Sequence, residues 1–138
     1  SFTKVNFGLD LTAKKFFVEM RIQKLMTEHK FDNFADYFRF VQNDLSGEAV
    51  ASFISGLTVN YTLFNRESFH FEFVATEILP QLYMQEQATK DLRIWSAGCS
   101  TGEEAYTLAI IIADFLGPNK RFWDTSILST DISTFVLK

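Results

Sequence analysis

Apolar residues recur along the first part of the chain with a helical period, and the period then changes. Val18, Ile22 and Leu25 follow an i, i+4, i+7 spacing in a segment that Thr12 is placed to cap. Phe34, Tyr37, Phe38 and Val41 form a second stripe, opened by Asn33 and closed at Asn43 and Asp44. Val50, Phe53, Ile54 and Leu57 form the third and clearest, with Ser46 as its cap and Gly56 weakening its end. Three short amphipathic helices predict a small bundle over residues 1–57. Residues 58–65 have mixed polarity and no helical repeat, so they read as a connector. Arg66 opens a segment in which Phe69, Phe73, Val74 and Ile78 suit a fourth helix, stopped by Pro80, and the polar stretch from Gln85 to Asp91 reads as a loop.

From Leu92 the pattern is that of an α/β protein. Leu92 to Ala97 reads as a buried parallel strand, and Gly98 and Gly102 lie in the turn that follows. Glu103 to Leu116 reads as a helix with Leu108, Ile111, Ile112 and Phe115 on its inner side, stopped by Gly117 and Pro118. Ser126 to Asp131 reads as a second strand. Strand, turn, helix and strand make a right-handed βαβ unit. The expected fold class is therefore α+β: a small all-α bundle over 1–57, a connector and linking helix over 58–91, and over 92–138 the opening βαβ portion of a Rossmann-like domain, truncated. Two parallel strands leave edges and faces uncovered, which predicts self-association through the incomplete sheet or an unordered last third.

Composition narrows the function classes. With 47% hydrophobic residues and 16 Phe, the chain should pack a core. A net charge of -4 and a pI near 5.1 argue against a general affinity for nucleic acid. A single cysteine, Cys99, allows no internal disulfide, and no Cys/His cluster has metal-ligand spacing. No metal is expected, and the cytoplasm is the expected compartment. No apolar run approaches the ~20 residues that span a bilayer, and the chain begins at Ser without a signal-peptide pattern. Cys99 reads as a small packed residue, and His29 and His70 as structural ones.

The chemistry concentrates in the run Trp95 to Glu104. Ligands of βαβ units bind beyond the carboxyl ends of the strands, directly over such a turn. A triphosphate-binding loop would need Gly-Lys-Ser/Thr, whereas Gly102 is followed here by Glu103 and Glu104, which repel phosphate. The G-x-G-x-x-G pattern of dinucleotide sites is also missing, but Asp131 at the end of the second strand suits a ribose diol. A ligand with a ribose, an amino group and a sulfonium, but no phosphate, matches this set: S-adenosylmethionine. The plainer alternatives are that Asp131 caps a helix and that Glu103 and Glu104 merely favour the positive end of theirs.

Three motifs in order then resemble one family. Asn60-Tyr61-Thr62-Leu63-Phe64-Asn65-Arg66-Glu67, Trp95 through Thr107, and Ser129-Thr130-Asp131-Ile132 look like those of the CheR family of chemotaxis receptor methyltransferases. The likeness extends over nearly the whole chain, because that family has a small helical domain before its methyltransferase domain. It departs from the family's pattern at Asn65, where a second aromatic is common, at Ala105, where proline is common, and in the carboxyl half. The resemblance implies methyl transfer from S-adenosylmethionine, leaving S-adenosylhomocysteine, to glutamates in the cytoplasmic region of methyl-accepting membrane chemoreceptors. It implies that Asn60, Thr62 and Arg66 touch the cofactor, with Gly98 in the turn, Glu104 or its neighbour Glu103 near it, and Asp131 on the ribose. A receptor carboxylate, with a reference pKa of about 4.3, is already ionised and needs no general base. Arg66 is then a positioning residue for a carboxylate of cofactor or substrate. Lys14, Arg21 and Lys24 cluster on one face of the first helix and suit docking of acidic receptor helices, or are simply solvated. The implied setting is the cytoplasm with recruitment to receptor arrays, without membrane insertion. The alternative function is a non-catalytic module that binds a receptor or a signalling partner.

Overall fold

A computed structural model describes residues 2–137. The chain forms two compact units, one comprising residues 2–59 with Ile132–Val136, the other Asn60–Asp131 with Leu137.

The helical unit holds α1 (Phe2–Phe7), a 3-10 turn (Thr12–Lys14), α2 (Lys15–Glu28), α3 (Phe34–Asn43) and α4 (Glu48–Leu57). Helix α1 has no counterpart in the apolar spacing. A six-residue helix is too short to stand on local propensity. It is held by a tertiary aromatic contact, the Phe2 ring edge-on to Phe38 of α3 at 5.2 Å, while Phe2 and Phe7 pack edge-on at 5.9 Å within the helix itself. Thr12 does not cap α2. Its backbone N–H and hydroxyl both donate to Asp10 Oδ1, at 3.1 and 2.6 Å, so Asp10 organises the turn. Asn33 does cap α3, accepting from Asp36 N–H at 3.0 Å. At α4 the capping is shared: Ser46 accepts from Glu48 N–H at 3.2 Å, but Asp44 takes the Ala49 N–H at 2.7 Å and also both the N–H and hydroxyl of Ser46. Gly56 has a packing role rather than an end-weakening one. A Cβ there would lie 2.7 Å from Leu25 Cδ1, so the missing side chain lets α2 and α4 approach. Leu25, Met26, Tyr37, Val41, Ala49, Phe53, Ile54 and Leu57 form the core. Tyr37 is fully buried, and its hydroxyl has no hydrogen-bond partner among the described residues.

In the second unit the segment after the connector is one long helical run, α5 (Ser68–Phe73), a π-helical stretch (Val74–Ile78) and α6 (Leu79–Gln85). Pro80 therefore does not stop it. Leu79 N–H bonds back to Val74 O, five residues earlier, and this widened turn accommodates a ring that would clash with a regular α-helical carbonyl. Strand β1 (Ile94–Ala97) pairs in parallel with β2 (Ile127–Thr130), in the register Ile94 to Ile127 through Ala97 to Thr130. β1 begins two residues later than the apolar run suggests, because Arg93 has φ +46. Helix α7 (Glu103–Leu116) crosses between the strands and ends in a 3-10 turn (Gly117–Phe122). Leu79, Leu92, Ile112, Leu116 and Trp123 form this unit's core, with Ile94, Ile127, Leu108 and Ile111 against it. Phe115 is 37% exposed, and the inward place is taken by Leu116. The other sheet face is open: the register partners Trp95 and Leu128 are 65% and 63% exposed. No helix among the described residues is long and apolar enough to cross a membrane.

Two predictions follow from the helical unit. Replacing Tyr37 with Phe removes an unpartnered buried hydroxyl and should raise the unfolding free energy by about 1 kcal/mol in urea titrations. A loss of similar size would show that the hydroxyl is hydrogen-bonded. The Asp44 carboxyl sits below the ordinary carboxylate value, chiefly through the Ala49 N–H and then Ser46, and Lys4 with Thr12 holds Asp10 down at about 2. Both contributions are present above the unfolded carboxylate range and are lost as pH falls through the lowered folded values. Asp44→Ala should thus lower the urea midpoint at pH 7, with the gap to wild type closing as pH falls below the ordinary carboxylate value of 3.8 and through the lowered folded value. A gap that persists unchanged in acid would contradict the assignment.

Candidate functional site

The turn between β1 and α7 is built by the end of β2. Gly98 N–H and Cys99 N–H both donate to Thr130 O, at 2.7 and 2.9 Å, and Ser100 N–H donates to Asp131 Oδ2 at 2.8 Å. Three successive backbone donors of the turn are thereby fixed to the last residue of β2 and the one that follows it. The backbone reaches this shape through positive φ at Gly98 (+83), Ser100 (+50) and Gly102 (+100). At Gly98 no heavy atom lies within 4 Å of where a Cβ would sit, so there is open space against the backbone. At Gly102 a Cβ would press on the Tyr106 ring at 3.3 Å.

The acidic residues of the turn have different partners. Glu104 accepts from the buried Ser96 hydroxyl at 2.7 Å, which ties its carboxylate to β1. Glu103 accepts from Thr101 at 2.5 Å on the turn itself. Asp131 is half-buried at the end of β2. Cys99 is buried beneath the turn. Burial first, and then the negative charges of Asp131 and Glu104, push its thiol up, so it is no nucleophile at neutral pH.

The connector is attached to the turn and to α7. Ser100 Oγ donates to Asn60 O at 2.5 Å, and Asn65 N–H donates to Thr107 Oγ1 at 3.1 Å. Thr62 is half-buried within it. Arg66 is exposed one residue outside the cap of α5, and its guanidinium donates to Tyr61 O at 3.0 Å. Of the residues singled out in the sequence, the hydrogen bonds therefore bring Asn60 and Asp131 together through Ser100. Glu104 joins the same turn through Ser96, and Arg66 is bonded within the connector. The hydroxyls of Ser96, Ser100 and Thr107 have no distinguishing signal in the sequence, because a serine or threonine looks the same whether solvated or linking two segments.

The cations of the helical unit differ among themselves. Lys14 is exposed, and Lys24 is exposed with its ammonium 3.7 Å from Glu28. Arg21 departs from the solvated face that its helical spacing predicts. It is half-buried, stacks over Phe17 at 4.5 Å, and donates to Gly56 O and Thr58 O at 2.9 and 3.0 Å, closing the carboxyl end of α4. His29 lies 5.7 Å from the Tyr37 ring, and His70 Nδ1 lies 3.3 Å from Glu67.

The donor set fits a nucleoside that carries no phosphate. A carboxylate at the end of β2 can accept from a ribose diol, the open backbone at Gly98 admits close approach, and the turn carries carboxylates without a cation. Among the described residues no group of three or more His, Cys, Asp or Glu could hold a metal ion.

Comparison with known proteins agrees with this chemistry. Residues 60–138 match the family domain described as "CheR methyltransferase, SAM binding domain", and residues 1–58 match "CheR methyltransferase, all-alpha domain". A "Chemotaxis protein methyltransferase" of Borreliella burgdorferi is 38% identical over 135 residues, 96% of this chain and 48% of that protein. One of the same description from Listeria innocua is 34% identical over 99% of this chain and 51% of its own length. A "Probable chemotaxis protein methyltransferase" of Rhizobium etli is 33% identical over 91% of this chain and 46% of its own. The chain spans about half the length of the curated relatives it matches. With both of its segments matched, the chain belongs to the CheR methyltransferase family, whose cofactor is S-adenosylmethionine.

Proposed function

We propose that this chain carries the nucleoside-binding part of an enzyme that methylates glutamate side chains in the cytoplasmic region of chemoreceptors, working in the cytoplasm at receptor arrays. The observation that carries this reading is the backbone hydrogen bond from Ser100 to Asp131 in the turn that also has open space at Gly98. It presents a carboxylate beside exposed turn backbone, with no cation in the turn itself to favour phosphate. When bound, S-adenosylmethionine supplies a methyl group on a positively charged sulfur. The chain's own part is binding and alignment. Asp131 holds the ribose hydroxyls, and Asn60, Thr62 and Arg66 line the connector side. Gly98 gives the backbone room, and Glu104, tied to Ser96, supplies negative charge to the turn ahead of Glu103. A substrate carboxylate is ionised at neutral pH, so no general base is required, and orientation in a dry site is the main demand. The absence of a nucleophile role for Cys99 agrees with such direct transfer.

A second reading, a receptor- or partner-binding module without catalysis, is favoured by the self-contained core of the helical unit. Calorimetric titration with S-adenosylhomocysteine separates the two. The first requires binding, weakened by about tenfold or more in Asp131→Ala through loss of charge-assisted hydrogen bonds. Absence of heat from the wild-type chain would favour the module.

Docking of acidic receptor helices is assigned to Lys14 and Lys24, with Arg21 serving the fold behind them. Lys14→Ser with Lys24→Ser should weaken binding of a receptor methylation-helix peptide several-fold at low salt and leave thermal stability unchanged. Arg21→Ser should instead lower the melting temperature, since Gly56 O and Thr58 O lose their donor. Unchanged peptide binding in the double lysine variant would exclude this face. Self-association through the open Trp95 and Leu128 face is the corresponding proposal for the sheet, and light scattering of a Trp95→Ser variant tests it.

A further inference from the structure

The connector that supplies Asn60, Thr62 and Arg66 has no regular secondary structure between Val59 and Leu63 and only a turn from there to α5. It also holds two non-glycine residues in left-handed conformation, Asn65 at φ +55 and Glu67 at φ +57. Such a segment does not fix its own shape, because left-handed backbone persists only where surrounding contacts over-determine it. Besides the internal bond from Arg66 to Tyr61 O, two side-chain hydroxyls anchor it from outside, one near each end. Ser100 Oγ donates to Asn60 O at 2.5 Å, and Thr107 Oγ1 accepts from Asn65 N–H at 3.1 Å. Both residues are buried, at 8% and 6% exposure.

Each hydroxyl is itself held from a second side. Thr107 Oγ1 donates to Glu103 O at 2.6 Å, one turn back in α7, which leaves a lone pair aimed at Asn65. Ser100 stands at φ +50 with its N–H on Asp131 at 2.8 Å. One residue thus joins the connector, the turn and the end of β2. A glycine would adopt this backbone more easily, and what it would lack is the hydroxyl.

We propose that Ser100 and Thr107 are positioning residues that clamp the connector onto the nucleoside site, so that Asn60, Thr62 and Arg66 reach the cofactor only while both hydroxyls hold. The inference rests on the functional reading above and deepens it. Ser100 acts through the Asn60 carbonyl and Thr107 through the Asn65 amide. The set of residues that determines cofactor affinity is accordingly larger than the set that touches the cofactor.

Three variants of the full chain separate this role from a merely structural one. Ser100→Gly keeps the left-handed backbone and the N–H on Asp131 and removes only the bond to Asn60. Thr107→Val keeps the shape and removes the acceptor, and Thr107→Ser restores it. Hydrogen exchange should accelerate by about tenfold in residues 60–67 of the Gly and Val variants, with β1 and α7 unaffected and Thr107→Ser returned to the wild-type rate. S-adenosylhomocysteine affinity should fall by about tenfold in the Gly variant, and its effect should be non-additive with Asn60→Ala, because both act through the same segment. Unchanged exchange at 60–67, a general rise across the unit that Thr107→Ser does not rescue, or strict additivity with Asn60→Ala would each overturn the proposal. A wild-type chain that does not bind S-adenosylhomocysteine contradicts the functional reading instead, and the exchange pattern then decides whether the hydroxyls clamp the connector.

Discussion

The second unit depends on one arrangement: parallel pairing of β1 with β2 that continues past the strands into the turn. The ladder ends at Ala97 opposite Thr130, yet the next three amides still bond to Thr130 O and the Asp131 carboxylate. This continuation gives the turn its shape. It brings the aspartate at the end of β2 beside glycine-turn backbone that is remote in sequence, and it sets where α7 begins. The pairing is held in turn by the apolar layer beneath it, where Ile94 and Ile127 pack against the core of Leu79, Leu92, Ile112, Leu116 and Trp123. Burial of that layer is non-directional. The hydrogen bonds above it are directional, and they convert a generic hydrophobic contact into one specific geometry at the strand ends.

Electrostatics then selects the class of ligand. Helix amino ends favour anions, and many nucleotide sites use that preference for phosphate. Here the first turn of α7 carries Glu103 and Glu104, the helix cap is a glycine without a side-chain acceptor, and Asp131 adds a third carboxylate. Burial first, and then the charges of Asp131 and Glu104, push the Cys99 thiol up. A ligand with a sulfonium and an amino group is compatible with this surrounding, and a polyphosphate is not.

How much of this could be read from the sequence depends on the range of the interaction concerned. Helices α3 and α4 are legible because their apolar stripes and flanking polar residues are local, as is α7 between its glycines. Ser46 is legible as a cap of α4 but its partner Asp44 is not, and Thr12, which reads as a cap, is instead a donor to Asp10, because Ser, Thr and Asp share the preference and only geometry shows which oxygen meets the amide. Helix α1 and the passage through Pro80 were not legible. The first is held by the distant Phe38, and the second is permitted by a π turn that leaves no periodic signature. Within the candidate site, Asp131 and the glycines were legible as types, since few residues suit their positions. Ser96, Ser100 and Thr107 were not, because their importance lies entirely in partners that are distant along the chain. The partner set of Arg21, a residue that its spacing groups with Lys14 and Lys24 as a docking or solvated face, is not legible for the same reason: its acceptors, Gly56 O and Thr58 O, belong to another helix end.

The proposed function requires the turn, the end of β2 and the connector to form one nucleoside site. An amide-resolved NMR titration of the isotope-labelled chain with S-adenosylhomocysteine tests it most directly. The largest shifts are expected at Gly98, Ser100, Asp131 and the connector amides from Asn60 to Arg66, moving together with a single binding curve. Shifts confined to other parts of the chain, or turn and connector amides that follow different curves, would contradict it.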